Sequence, residues 1–147
     1  VSPMNILIIN GPNLNMLGKR NPTIYGSDTL SDIEAMCNNC AEKHYASVDF
    51  RQSNHEGEIV DWIQDSINRF DAILINAGAY THTSIAIHDA LELFTGPIVE
   101  VHISEPNKRE AFRHVSFIEP CATHRVAGHG AKGYEMALEW LFNQKQN

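Results

Sequence analysis

Seventeen residues, NGPNLNMLGKRNPTIYG from Asn10 to Gly26, bring a Lys-Arg pair and a phenol, Tyr25, close together. The stretch follows the apolar run MNILII and holds three Gly, two Pro and four Asn, so it is too polar for an ordinary turn. Connections in compact domains usually run about 4–6 residues, and longer ones tend to be functional or disordered. Two more polar clusters also follow apolar runs. One is NAGAYTHTS, with Asn76, Gly78 and His82; the other is HIS, ending in His102, Ile103 and Ser104. Side chains of these types hydrogen-bond a small polar ligand, and a cluster with two His, several Asn and an Arg exceeds what helix capping alone requires. Gly78 lets the backbone turn tightly. Thr81 or Thr83 is expected to cap the helix that follows, whose free N–H groups would favour an anion beside His82.

The elements that must carry these residues alternate. Apolar runs at 4–10, 47–52, 71–77 and 97–103, with a weaker one at 124–129, read as strands. The first, third and fourth are rich in Val, Ile and Leu with little alternation, as strands buried on both faces are. Helical patterns fall at 29–45, 55–69, 82–94 and 131–145, with a short one near 107–114. Ile59, Val60, Ile63 and Ile67 mark one apolar face, and Tyr134, Ala137, Leu138 and Leu141 another. Ser53 to Glu56 reads as a capping box. Alternating β and α units imply right-handed crossovers and a parallel sheet covered on both sides. The expected fold is therefore α/β, a flavodoxin-like three-layer sandwich with a five-stranded parallel sheet in the order 2-1-3-4-5. That order has a topological switch between strands 1 and 3, and ligands bind there, at the carboxyl ends of strands. The three polar clusters belong to that rim.

Composition narrows the function. The 147 residues suit one catalytic domain, 1–147, with Val1–Pro3 ahead of Met4 reading as a cloning remnant. The net charge of −7 argues against nucleic acid and anionic membrane surfaces as partners. No apolar run approaches the ~18 residues of a membrane span, and no signal-peptide pattern opens the chain. Three Cys, an odd number, fit a reducing cytoplasm. Cys37 and Cys40 form a C-x-x-C, but inside a helical pattern, where they read as small packing residues. No metal is expected: H-x-x-x-H and H-E-x-x-H are absent, and His82 and His88, six apart on a helix, would face nearly opposite ways. Neither a Rossmann nor a Walker A glycine pattern occurs, and no Ser or Cys has a nucleophile-elbow context. A phospho-receiver would need acidic groups where Asn10 and Asn76 stand. That disfavours a receiver directly.

Four blocks, NGPNLNMLGKRNPTIYG, QSNHEGEIVDWI, ILINAGAYTHTSIAIHDAL and VEVHISEPNKREAFRHVS, resemble the type II 3-dehydroquinate dehydratases over nearly the whole chain, from Met4 to about Leu141. The resemblance implies a flavodoxin-like hydro-lyase that reversibly dehydrates 3-dehydroquinate to 3-dehydroshikimate without metal or organic cofactor, in shikimate or quinate metabolism. It also implies a homo-oligomer, a dodecamer built from trimers. By position, Lys19–Gly26 matches a mobile lid, with Tyr25 as general base and Arg20 as the lid arginine. Asn13 matches the residue that positions a water or the enolate oxygen, and His102 the general acid. Asn76, His82, Ile103, Ser104 and Arg113 match the substrate-binding set. Glu100 and Arg109 match further active-site residues, and Asp89 an acidic residue that reaches a neighbouring subunit's site.

The implied chemistry suits these residue types. A carbon acid beside a ketone loses a proton to give an enolate, and then a hydroxyl departs. A phenol ionises near pH 10, so a tyrosine base at neutral pH needs a cation nearby, which Arg20 would supply; guanidinium itself stays protonated. A histidine titrates near neutrality and can protonate the departing hydroxyl. The chain departs from the family's pattern at Glu105, where Asn is usual, and at His124, Arg125 and His129, where residues are mostly apolar or small. Glu105 is expected to add negative charge to the pocket.

Overall fold

The computed structural model describes residues 3–19 and 21–145. Five parallel strands, β1 (Asn5–Asn10), β2 (Ser47–Gln52), β3 (Ala72–Asn76), β4 (Ile98–His102) and β5 (His124–Ala127), form one sheet in the order β2-β1-β3-β4-β5. The flavodoxin-like arrangement expected from the alternation is the one observed. Helices α2 (Leu30–Lys43) and α5 (Lys132–Lys145) cover one face; α3 (Glu56–Ser66) and α4 (Ile85–Leu91) cover the other. A single helical turn, α1 (Pro22–Tyr25), stands in the long loop after β1.

Side-chain alternation along the strands sorts the core into two layers. Ile6, Ile8, Leu74, Val99 and Val101 pack under α2 and α5 with Ile33, Cys37, Tyr134 and Leu138. Leu7, Ile9, Ile73, Ile75 and Ile98 pack under α3 and α4 with Ile59, Ile63, Ile87 and Leu91. Both cysteines of the C-x-x-C are buried and reduced, and burial pushes each thiol up to about 12. They pack rather than react. The same alternation fixes where the polar strand ends point. Asn10 and Asn76 continue the α5 side, whereas Glu100 and His102 continue the α4 side.

Several local expectations are corrected. Ser53 is no capping-box member: its Oγ accepts from the N–H of His55, two residues on, and His55 is the N-cap of α3. The real capping box opens α2, where Thr29 and Asp32 exchange bonds of 3.2 and 2.9 Å. Neither Thr81 nor Thr83 caps α4. Gly78, at φ +60°, starts a 3-10 turn, Gly78–His82, and Ser84 then caps the shorter α4 by accepting from the N–H of Ile87 at 2.9 Å. The segment expected as a helix near 107–114 is two 3-10 turns, Pro106–Lys108 and Ala111–Arg113. Pro106 and the bonds made by Glu105 start the first of them.

Candidate active site

The loops after β1, β3 and β4 leave a pocket of about 220 Å³ at the carboxyl edge of the sheet. Pro12, Asn13 and Leu14 come from the first loop, Asn76, Gly78, Ala79 and His82 from the second. His102, Ile103, Ser104, Pro106, Arg109 and Arg113 come from the third, and Tyr25 closes the pocket from α1. An outer hollow of about 580 Å³ shares Tyr25, Ile103, Ser104 and Arg109 with it. These four residues form the partition, so the turn bearing Tyr25 stands over the mouth of the inner pocket.

The junction of β1 and β3 is rigid for identifiable reasons. The N–H of Gly11 donates to the carbonyl of Asn76 at 2.8 Å, and a Cβ on Gly11 would lie 2.1 Å from the carbonyl oxygen of Ala77. Only glycine tolerates that approach. Beneath the junction, the buried hydroxyl of Tyr134 donates to Asn10 Oδ1 at 2.7 Å and accepts from Asn76 Nδ2 at 2.9 Å. Burial raises the Tyr134 phenol far above its ordinary value, so it stays neutral and able to donate. Asn76 Oδ1 accepts from the N–H of Gly78 at 3.2 Å. Both ends of the Asn76 amide are thereby held. Asn13, at φ +68°, is fixed by its own N–H to Asn54 Oδ1 at 3.0 Å, which leaves its side chain at the pocket.

Two histidines enter the pocket with defined tautomers. His82 Nδ1 lies 2.7 Å from the carbonyl of Val115, a group that only accepts, so Nδ1 carries the proton and Nε2 is the open nitrogen. Burial lowers the His82 pKa, the Val115 bond opposes the shift, and His102 and Arg113 add to the lowering. The ring is therefore neutral at pH 7. His102 Nε2 lies 2.6 Å from Glu100 Oε2, which leaves Nδ1 for proton exchange. Glu100 is 1% exposed, and the same oxygen accepts from the Ser116 hydroxyl at 2.7 Å. Burial pushes the Glu100 carboxyl up. The bond and charge of His102, the Ser116 bond and the charge of Arg125 outweigh it, and the net shift is downward. An ionised carboxylate therefore lies beneath the histidine.

The cations sit around the mouth. Arg109 donates from Nη1 to Ser104 Oγ at 3.2 Å, and its guanidinium lies 5.2 Å from the centre of the Tyr25 ring. Arg113 is tethered by Nε to Glu110 at 3.1 Å. Arg20, expected to be the cation next to Tyr25, falls outside the described residues. Asp89 is exposed on α4 and does not line the pocket. Glu100 lies behind His102 rather than on the wall. Glu105 does not line the inner pocket but borders the outer hollow, where its carboxylate accepts from the N–H of Asn107 at 3.1 Å and faces Arg125 Nη2 at 3.7 Å. Gly11, Ser116, Arg125 and Tyr134 were not anticipated as members of the site. Of these, Tyr134 carried the clearest signal, a phenol on an otherwise apolar helix face, which needs a buried partner.

The Dehydroquinase class II family model matches residues 4–142. The chain is 54% identical to 3-dehydroquinate dehydratase 1 of Agrobacterium fabrum over 138 residues, covering 94% of this chain and 95% of that protein. It is 56% identical to the 3-dehydroquinate dehydratase of Streptomyces avermitilis over 135 residues, covering 91% of this chain and 85% of that one. The crystal structure of type II dehydroquinase from Butyrivibrio crossotus superposes with a TM-score of 0.93 at 46% identity, covering 97% of this chain and 99% of that one. With the sheet order, the strand-end pocket and near-complete coverage in agreement, the chain belongs to the class II dehydroquinases.

Proposed function

We propose that this chain is a single-domain type II hydro-lyase that reversibly dehydrates 3-dehydroquinate to 3-dehydroshikimate through an enolate. The observation that carries the reading is that Tyr25 and His102 line one pocket and that His102 is backed by a buried carboxylate. Tyr25 removes the proton beside the ketone as phenolate, with cationic help from Arg20 on the same loop and from Arg109 across its ring. Asn13 holds a water or the enolate oxygen. His102, protonated on both nitrogens, gives its Nδ1 proton to the departing hydroxyl and keeps Nε2–H on Glu100, which orients the ring and balances the single positive charge. Asn76, His82, Ile103, Ser104 and Arg113 hold the substrate's hydroxyl and carboxylate groups, the guanidinium being suited to a carboxylate. Gly78 gives the turn its path. No step requires a metal or an organic cofactor.

The segment Lys19–Gly26 acts as a lid that brings base and cation over the ligand and excludes water. Asp89, exposed on α4, completes a neighbouring protomer's site in a homo-oligomer, a dodecamer of trimers. The enzyme works in the cytoplasm, in aromatic biosynthesis or quinate catabolism. The deciding experiment is turnover with 3-dehydroquinate, followed by the rise of enone absorbance. Absence of that rise with folded, assembled protein would reject the assignment.

A further inference from the structure

Arg125 lies behind the pocket wall and takes no part in the chemistry described above. It is the direct cross-strand partner of Glu100 in the β4–β5 ladder. Both side chains leave the sheet on the same face, the one that carries His102 two residues on. Arg125 Nε lies 3.6 Å from Glu100 Oε1, and its Nη2 lies 3.7 Å from Glu105 Oε1. Among the described residues, three buried side-chain atoms have no hydrogen-bond partner, and two of them are Glu100 Oε1 and Arg125 Nε. Buried polar atoms left unpaired are costly and normally have a reason. Here the two face each other, so charge rather than a formed hydrogen bond links them. Glu100 thus divides its oxygens: Oε2 serves His102 and Ser116, and Oε1 looks at Arg125.

We propose that Arg125 is a positioning residue for the dehydration, holding the Glu100 carboxylate charged and seated beneath His102, with Glu105 setting how much of the arginine's charge Glu100 receives. The proposal rests on His102 being the proton donor. Glu105 and Arg125 are two positions at which the chain leaves the family's pattern, and they meet one another. The groups facing this assembly are few. His102 and Glu100 stand on β4, Ser116 on the loop before β5, and Arg125 on β5. His82 and Arg113 approach from the 3-10 turns above, and Glu105 from the turn after β4. Outside the lining of the inner pocket, Arg125 bears on Glu100 through charge, and Glu105 in turn faces Arg125.

The sign follows from the favourable charge of Arg125 on the Glu100 carboxylate. Arg125→Gln withdraws it, so Glu100 takes up a proton at higher pH and the acidic limb of the kcat profile moves up. At a fixed pH on that limb, kcat should fall about threefold, as expected for a partly exposed ion pair, with KM unchanged. Arg125→Lys should bring the limb back towards wild type. Glu105→Gln leaves Arg125 to Glu100 alone, so the limb should move the other way, to lower pH. This variant should fold, because the amide still accepts from Asn107. It keeps the test decisive even if Arg125→Gln does not fold. Kinetic profiles across pH 4.5–9 on the assembled enzyme read all three variants beside His102→Ala. A Glu105→Gln limb that stays put or moves up overturns the proposal, as does an Arg125→Gln limb that coincides with wild type. In either case an inactive His102→Ala leaves the assignment of the proton donor standing. An active His102→Ala removes that assignment instead.

Discussion

His102 stands at the edge of the pocket with one nitrogen committed to a buried carboxylate and the other open, and the division predicts how its loss should look. His102→Ala should lower kcat by about 10²–10⁴-fold, the usual contribution of a positioned acid, and leave KM within a few-fold. Steady-state kinetics showing a raised KM at unchanged kcat would make His102 a binding residue instead. Tyr25→Phe keeps the ring under Arg109 but removes the oxygen, so the protein should fold normally and retain no more than a few per cent of turnover. Thermal melts should also respond to pH through two groups with known signs. His82 has a folded pKa below its ordinary 6.5, so the unfolded chain gains its proton first, and stability falls as pH drops through that value. Glu100 is lowered from 4.5, so its contribution is complete above that value and is lost as pH falls further, through its folded pKa. His82→Gln should flatten the Tm-against-pH curve between about pH 7 and 5 and leave the more acidic fall in place. An unchanged slope there would show that His82 is not a group that resists protonation.

At the scale of elements, the tightest prediction concerns the joint between β1, β3 and α5. Tyr134→Phe removes one hydroxyl and leaves a buried donor on Asn76 and an acceptor on Asn10 unpaired. The expected cost is about 1–3 kcal/mol, read as a lower denaturation midpoint. KM should rise as well, because Asn76 is no longer held at the pocket, and a KM unchanged beside a lower midpoint would confine Tyr134 to stability. This joint also shows what the sequence could and could not disclose. Strand positions, strand order and the two apolar helix faces followed from period and composition, since hydrophobic pattern determines which face is buried. The rim residues Asn13, Asn76, His82, His102 and Ser104 were legible because they end apolar runs. Tyr134 and Arg125 belong to elements distant in sequence, and their partners depend on register. The pairing of Glu100 with Arg125 exists only once β4 and β5 lie in their observed alignment. Capping was misread at Thr81 because three hydroxyl residues precede α4 and backbone angles decide which one caps, and at Ser53 because α3 starts two residues later than its hydroxyl suggests, with His55 as N-cap. Glu105 borders the outer hollow rather than the inner pocket, and its partner Arg125, twenty positions away on β5, could not be read from the sequence.

At the scale of the molecule, the surface bears on how the site is completed. Ile85 on α4 and Phe112 and Val115 beside Arg113 are 58%, 67% and 55% exposed. Exposed apolar side chains next to a pocket rim are characteristic of surfaces that become covered. Light scattering should give a mass that is a multiple of three chains, and Asp89→Ala should reduce turnover in the assembled enzyme without altering the isolated fold. A fully active monomer would refute a role for Asp89 in a neighbouring site. Exhaustive chelation should leave turnover intact, and activity lost and then restored by zinc or magnesium would overturn the metal-free mechanism. The bond from Tyr134 to Asn10 joins residues 124 positions apart. Synthesis proceeds from the amino end, so the strands that bear most of the chemistry emerge well before the residue that ties two of them together. Until α5 leaves the ribosome and docks, Asn10 and Asn76 have no phenol between them. A chain lacking α5 would thus carry every residue that lines the pocket while lacking the tie that holds Asn76 in it. Competence to bind substrate should therefore arise abruptly once α5 has docked rather than growing with length.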